Sequence, residues 1–491
     1  MIQVLSVASE AFPLVKTGGL GDVVGALPQA LSSHSVMITT LLPGYPAVHE
    51  HIGSAALVHR YDNLMGVEAR ILASYINGYP LLVLDAPVLF LRDGGIYGDR
   101  TGIEWPDNWR RFAALARAAA DLASGVVPNW RFDLLHAHDW HAGLAPAYLH
   151  YAPGPTPAAP SLMTIHNIAF QGRFGVSTFP FLGLPPQAYG IEGVEYYGGV
   201  GFLKAGLAHA TAITTVSPGY ALEIQQPAFG LGLEGLISTR KSDLYGILNG
   251  IDPLVWNSQS DTALAARYDI QNLAARSINR HAIESSFGLE PGGGPLFAVI
   301  SRLSAHKGMD VLADQLDTLV SLGGRLVLLG TGEPALEAKF KASAARHSGK
   351  IAVVLGYDER LAHILQGGAD AILIPSRFEP CGLTQLYGLA YGCVPVAART
   401  GGLGDTIIDA NDAALAQGVA TGILFDGVTD ESLANALKRT MLLYAQTSCW
   451  KKIQTQGMQS DFSWRQSGRR YADLYAKLIG GHATPPTTPP A

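Results

Sequence analysis

Cysteine is scarce in this chain of 491 residues, which has only Cys381, Cys393 and Cys449. Three cysteines cannot build a disulfide framework, and none of their spacings is the Cys-x-x-Cys of a zinc site. A reducing cytoplasm is the simplest setting. Long apolar runs are missing too: no uninterrupted stretch of about 18 apolar residues occurs, which argues against a spanning helix. Val4–Ala8 is too short for the core of a signal peptide, and Glu10 prevents its extension. Charged residues make up only 15%, the net charge is −6, and no stretch is dense in Lys and Arg. That balance excludes a general nucleic-acid or membrane-surface binder. The composition left is that of a soluble, core-rich chain with 48% apolar residues, too long for one core, so two domains are expected.

Short apolar runs alternate with longer amphipathic ones. Strands are expected at Val4–Ala8, Val36–Leu42, Leu81–Leu84, Leu134–Ala137, Ser161–Ile165, Ala212–Val216 and Leu244–Leu248 in the first half. The second half adds Leu296–Ile300, Arg325–Leu329, Ile351–Leu355, Ala371–Ile374 and Val394–Ala397. Helical stretches such as Trp109–Ala123 and Glu333–Ala345 separate several of them. The alternation predicts an α/β chain with parallel sheets and crossover helices. The domain change is placed near Tyr245–Asn257, and Pro291–Pro295 is a second flexible point. The Pro/Thr-rich stretch Gly480–Ala491 is expected to be disordered.

One segment occurs twice. Lys16-Thr-Gly-Gly-Leu-Gly-Asp22 returns as Arg399-Thr-Gly-Gly-Leu-Gly-Asp405, each after a strand-like run and before a helix-like one. Glycines at a strand-to-helix turn let a backbone approach a ligand and aim helix-start N–H groups at an anion. A cation beside each copy adds charge. Read as two similar α/β lobes, the repeats face one shared crevice; read plainly, they are tight turns.

Parallel sheets bind ligands beyond the carboxyl ends of their strands. His136-Ala-His138-Asp139-Trp140-His141 and His166-Asn167 fall there, as do Asn249-Gly250, Ser301-Arg302 and Ser376–Glu379. Arg302 and Lys307 flank one such loop and suit a diphosphate that must leave as an anion, unless they are solvated surface charges. Glu379 could bind sugar hydroxyls or stabilise positive charge at an anomeric carbon; the alternative is an ion pair with Arg377. After Cys381, the run Gly382-Leu383-Thr384 could start a helix and offer N–H groups to phosphate. Cys381 itself reads as packing, since no basic partner is identifiable. His138 and His141 have the spacing of two metal ligands, but no second ligand set accompanies them. The chain also contains no Asp-X-Asp, a common metal-holding device of sugar-nucleotide enzymes. No metal and no cofactor are therefore expected. Asp139 with Trp140 suits carbohydrate, or else a helix-capping Asp beside a buried aromatic.

Taken together, these motifs resemble bacterial glycogen synthase, a family of ADP-glucose-dependent glucosyltransferases that includes plant starch synthases. The carrying segments are Lys16–Pro28, His136–Ala142, Thr164–Gly172, Asn249–Asp252, Ser301–Leu303 with Lys307-Gly308, Pro375–Gln385 and Arg399–Leu403. The resemblance implies the GT-B architecture: two Rossmann-like domains facing a deep cleft, 1–245 on the glucan acceptor side and 246–460 on the donor side. A C-terminal helix at 461–479 would cross back to the first domain. The implied reaction moves glucose from ADP-glucose to the non-reducing end of an α-1,4-glucan, with retention and without metal. Carried onto matching positions, Lys16 with Gly18 and Gly19 approaches donor phosphate and sugar, while Arg302 and Lys307 neutralise the diphosphate. Glu379 lies by the glucose ring, and Asp139, His166 and Asn167 line the reacting face. Tyr357 stacks on the base, and Thr384 meets phosphate at a helix start. Asp22, Trp140, Asn249, Cys381, Gly382 and Leu383 complete the expected substrate-binding set. Gly21 and Ala390 depart from the common family residues but lie outside those positions. Rival readings are a retaining GT-B transferase with a small acceptor, a Rossmann dehydrogenase and a catalytically silent glucan-binding protein. Neither glycine-rich copy fits the GxGxxG that the dehydrogenase requires.

Overall fold

A computed structural model describes residues 1–152, 154–156 and 158–482. The chain divides into two units, Met1–Val216 with Ala221–Leu248 and the C-terminal residues from Trp464, and Ser217–Tyr220 with Asn249–Ser463.

The first unit holds β1 (Ile2–Val7), β2 (Val36–Pro43), β3 (Ala56–Leu64), β4 (Val67–Ile76), β5 (Tyr79–Asp85), β6 (Leu134–His138) and β7 (Ser161–Ile165). It continues with β8 (Arg173–Gly175), β9 (Glu195–Tyr196), β10 (Gly199–Gly201), β11 (Ala212–Thr215) and β12 (Leu244–Gly246). Nine of these form one sheet in the order β12-β11-β7-β6-β1-β2-β5-β4-β3. β6 and β7 are buried at every residue, which is why they read as continuous apolar runs without alternation. The sheet is not wholly parallel, contrary to expectation: β3 and β4 pair antiparallel, and β4 pairs antiparallel with β5. This hairpin turns at Met65-Gly66, both at positive φ, as a tight two-residue turn requires. Most of β3 is exposed, so it carries little apolar signal. The small sheet β8-β10-β9 gives equally little.

The helix Trp464–His482 belongs to this unit and packs on the helix Gly19–Ser32. Tyr471, Tyr475 and Leu478 share one face and enter the same core as Val4, Val23, Leu27 and Leu31. A Cβ on Gly468 would sit 2.7 Å from the Ala30 carbonyl oxygen, so glycine permits the close helix approach. Residues 480–482, placed by sequence in a disordered tail, continue this helix; 483–491 lie outside the described residues.

The second unit adds β13 (Leu296–Ile300), β14 (Arg325–Gly330), β15 (Ile351–Leu355), β16 (Ala371–Ile374), β17 (Val394–Ala398) and β18 (Ile423–Phe425). All pair parallel in the order β15-β14-β13-β16-β17-β18. This is doubly wound Rossmann order, whose direction reverses between β13 and β16. The parallel strands of the first unit follow the same scheme, with the reversal between β1 and β6. Ligands of such sheets bind at the reversal, beyond the carboxyl ends of those two strands.

Candidate active site

In the first unit, β1 leads into residues 8–18, which carry Lys16 and Gly18 and end at Gly19, and β6 leads directly into Asp139. The two segments thus extend from the strands flanking the reversal. Lys16 Nζ pairs with Asp22 at 2.7 Å, and Gly19 opens the helix Gly19–Ser32. The first N–H groups of a helix lack intrahelical partners. The sequence suggested free helix-start N–H groups here; those of Thr17 and Gly18, just before the helix, are taken by the Glu10 carboxylate. An anion would meet the backbone from Gly19 onward.

Asp139 is buried and sits at φ 53°, a left-handed conformation that Asp tolerates better than most residues. Its Oδ1 accepts the His166 backbone N–H at 2.7 Å, and the Asn167 backbone also donates to the carboxyl. Burial pushes the Asp139 carboxyl up to about 8, with those backbone hydrogen bonds opposing the shift and the nearby Glu10 charge reinforcing it. Behind it runs a chain of buried imidazoles. His166 Nε2 lies 3.0 Å from His138 Nδ1, and His138 Nε2 lies 3.2 Å from Ser6 Oγ. His136 bonds Thr164 Oγ1 at 2.6 Å and the Tyr475 hydroxyl at 2.8 Å, so the C-terminal helix contacts this chain. Burial lowers His136 and His166 to about 3, and holds His138 and His141 well below the ordinary range. All four are neutral imidazoles at neutral pH.

The apparent metal spacing dissolves here. His138 is engaged by Ser6 and His166, whereas His141 stacks on Tyr97 at 4.8 Å and meets the Phe112 edge. Among the described residues, no group of three or more His, Cys, Asp or Glu side chains could hold a metal ion. Trp140 also differs from a sugar platform. It is 9% exposed, packed among Phe112, His141, Phe174 and Phe202, with Gly172 against the indole. Its surroundings are those of a core residue.

In the second unit, Arg302 and Lys307 follow β13, and Glu379 follows β16. Lys307 Nζ meets Glu379 Oε2 at 2.6 Å, and Ser376 Oγ donates to the same oxygen at 2.9 Å. Arg377 is not the partner of Glu379; it pairs with Asp310 at 2.6 and 2.9 Å. Arg302 is exposed at the strand end. Gly382 takes φ 71°, where a Cβ would also strike the Gln385 amide, and Thr384 then begins the helix Thr384–Tyr391. Gln385, which motif reading passed over, braces this turn: its Nε2 donates to the carbonyls of Cys381 and Gly382. Burial pushes the Cys381 thiol up to about 12, although the Asn249 backbone N–H partly offsets this. Asn249 is itself buried, and its Oδ1 has no hydrogen-bond partner among the described residues. Tyr357 is 78% exposed, with its hydroxyl 3.1 Å from Glu359.

The second glycine-rich copy behaves differently from the first. Gly402 donates to the Glu379 and Pro380 carbonyls, and a Cβ there would lie 2.1 Å from the Cys381 carbonyl oxygen. Arg399 is paired with Asp426. Gly402 thus serves close backbone packing behind the Glu379–Cys381 turn.

Residues 3–239 match the starch synthase catalytic domain, and residues 283–453 match the glycosyl transferases group 1 model. The chain is 59% identical to glycogen synthase of Novosphingobium aromaticivorans, over 97% of its own length and 99% of that protein's. The chain belongs to the glycogen synthase family. Glycogen synthase 1 of Rhizobium meliloti is 57% identical over the same shares. Among solved structures, the catalytic domain of starch synthase IV from Arabidopsis thaliana, bound to ADP and acarbose, superposes with a TM-score of 0.86. It is 29% identical, and the match covers 98% of this chain and 99% of that one. Sucrose-phosphate synthase from Thermosynechococcus elongatus, at 16% identity and a TM-score of 0.60, shares the fold. The architecture is GT-B, the chain is a glucosyltransferase, and its substrates are a nucleotide-sugar donor and a glucan acceptor. Among the described residues no helix is long and apolar enough to cross a membrane.

Proposed function

We propose that this cytoplasmic enzyme elongates glycogen, moving glucose from ADP-glucose to the non-reducing end of an α-1,4-glucan with retention and without a metal. The observation that carries the assignment of roles is the Lys307–Glu379 pair, formed in the loops that leave the carboxyl ends of the two strands flanking the reversal, with Arg302 on the first of those loops. Arg302, Lys307 and the helix start at Thr384, reached through Gly382 and Leu383, bind the diphosphate. Glu379 meets the glucose ring, Tyr357 stacks on the base, and Asn249 and Cys381 shape the wall. Lys16, Gly18 and Gly19, with Asp22 holding the lysine, approach donor phosphate and sugar. Asp139, His166 and Asn167 line the reacting face. Trp140 supports them from the core.

As the C1–O bond to phosphate breaks, negative charge grows on the diphosphate and positive charge on the sugar. Cations aimed at that oxygen therefore stabilise the transition state more than the ground state. Retention has two routes. A double displacement needs an ionised carboxylate nucleophile. Asp139 is held up at about 8 and accepts backbone N–H groups, while Glu379 is tied to Lys307 and Ser376. Both facts favour front-face transfer. The acceptor O4 bonds to C1 on the face that the phosphate leaves, and its proton passes to the departing phosphate oxygen. His166, neutral because it is buried, contributes a hydrogen bond rather than a charge.

The test is incubation with glycogen and each nucleotide-glucose in EDTA, measuring released nucleotide and labelled glucan. ADP-glucose is expected to be turned over. Turnover only with another donor, only onto small acceptors, or only after added magnesium or manganese would overturn the corresponding part of the reading.

A further inference from the structure

A buried carboxylate closes the segment that comes after β1. Glu10 is 3% exposed. Its Oε2 accepts the backbone N–H of Thr17 at 2.6 Å and of Gly18 at 3.3 Å. Its Oε1 accepts Thr17 Oγ1 at 2.6 Å and the Tyr97 hydroxyl. Tyr97 is itself fixed, 2.8 Å from Ser9 Oγ and stacked on His141. The segment is pinned further along, where the Phe12 N–H donates to the Gly21 carbonyl at 3.0 Å. A carboxylate is costly to bury unless donors saturate it. Here three of the four donors belong to Thr17 and Gly18, between Lys16 and Gly19, and the fourth, the Tyr97 hydroxyl, braces Oε1.

We propose that Glu10 is a positioning residue: it sets the conformation of Lys16–Gly19 that delivers the lysine and the helix-start backbone to the donor. The inference rests on the role assigned above to Lys16. A loop of this kind would otherwise sample many conformations, and small displacements of a positioned group are expensive in rate. Glu10 would therefore act on turnover through its neighbours, without touching substrate.

A double-mutant cycle of Glu10→Ala and Lys16→Ala tests this, with kcat and KM for ADP-glucose and the affinity for ADP measured in each protein. Glu10→Ala is expected to lower kcat by about 10²-fold, with ADP affinity held within about twofold. The double variant should be no slower than Lys16→Ala alone, because both changes remove one device. Glu10→Gln should recover at least about tenfold of the loss. Its carboxamide oxygen can still accept both N–H groups while its NH2 donates to the two hydroxyls. Glu10→Ala within about threefold of wild type, or losses that multiply in the double variant, would overturn the proposal. Near-normal turnover by Lys16→Ala would instead remove the role of Lys16, a failure distinguishable from that of Glu10. If Glu10→Ala does not fold, Glu10→Asp, one methylene shorter, carries the same comparisons.

Discussion

Replacing Asp139 with Asn should alter how the stability of the first unit depends on pH. Asn can keep the same acceptor oxygen toward His166 and Asn167 and tolerates the same left-handed backbone, but it never ionises. In the wild type, burial raises the Asp139 carboxyl from 3.8 to about 8. The folded state therefore holds this proton more tightly than the unfolded state. The stability that the protonated acid contributes is full below 3.8 and is lost as pH rises through about 8. Between those limits wild type should weaken relative to Asp139→Asn by roughly 1.4 kcal/mol per pH unit, or roughly 4 kcal/mol from about pH 5 to about pH 8. For a unit of this size that is a change in melting-temperature difference on the order of 10 °C. The buried histidines, lowered to about 3 at His136 and His166, act oppositely: their contribution is present above 6.5 and is lost as pH falls. Both proteins contain them, so the difference between the two melting curves isolates Asp139. The measurement is thermal unfolding of both proteins across that range at fixed ionic strength. A difference that stays constant with pH would mean that Asp139 is ionised throughout, and the case against a nucleophilic carboxylate would fall with it.

Arg302→Ala and Lys307→Ala should each lower kcat by about 10²–10³-fold, because each leaves diphosphate charge uncompensated; near-normal kcat in steady-state assays would mark them as surface cations. Lys307→Ala additionally leaves Glu379 without its 2.6 Å partner, so its loss should be the larger of the two. Cys381→Ser should retain most of its turnover, since a thiol pushed up to about 12 supplies no thiolate near neutrality. A folded but inactive Cys381→Ser enzyme would reopen a nucleophilic role.

Much of the fold was legible in the sequence because parallel strands buried on both faces are short apolar runs. Ser161–Ile165, Leu296–Ile300 and Ala371–Ile374 read from sequence with the bounds they have in the structure, as does the apolar but only partly buried edge strand Ile351–Leu355. The β3–β4 hairpin was not legible, since most of β3 is exposed, few of the hairpin's residues are fully buried, and its apolar alternation is weak. The two Thr-Gly-Gly-Leu-Gly copies looked equivalent, yet one leads into a long helix and the other packs Gly402 against Cys381. Local sequence cannot tell these uses apart, because both require the same freedom from a Cβ. Trp140 read either as a surface for sugar or as a buried aromatic for a similar reason: an aromatic beside a carboxylate has the same spelling in a core and in a binding site.

The sequence by itself determined the family, the α/β class and which polar residues end strands. These properties are local or motif-borne, written in runs and spacings of a few residues. Tertiary structure decided which strand ends become neighbours. The order of each sheet sets β1 beside β6 and β13 beside β16, so segments far apart in sequence extend from adjacent strands. Only then do Lys307 and Glu379, 72 residues apart, form one pair. The acidity of Asp139 was likewise decided by its surroundings, because desolvation depends on everything packed around a carboxyl and not on the residues beside it in the chain.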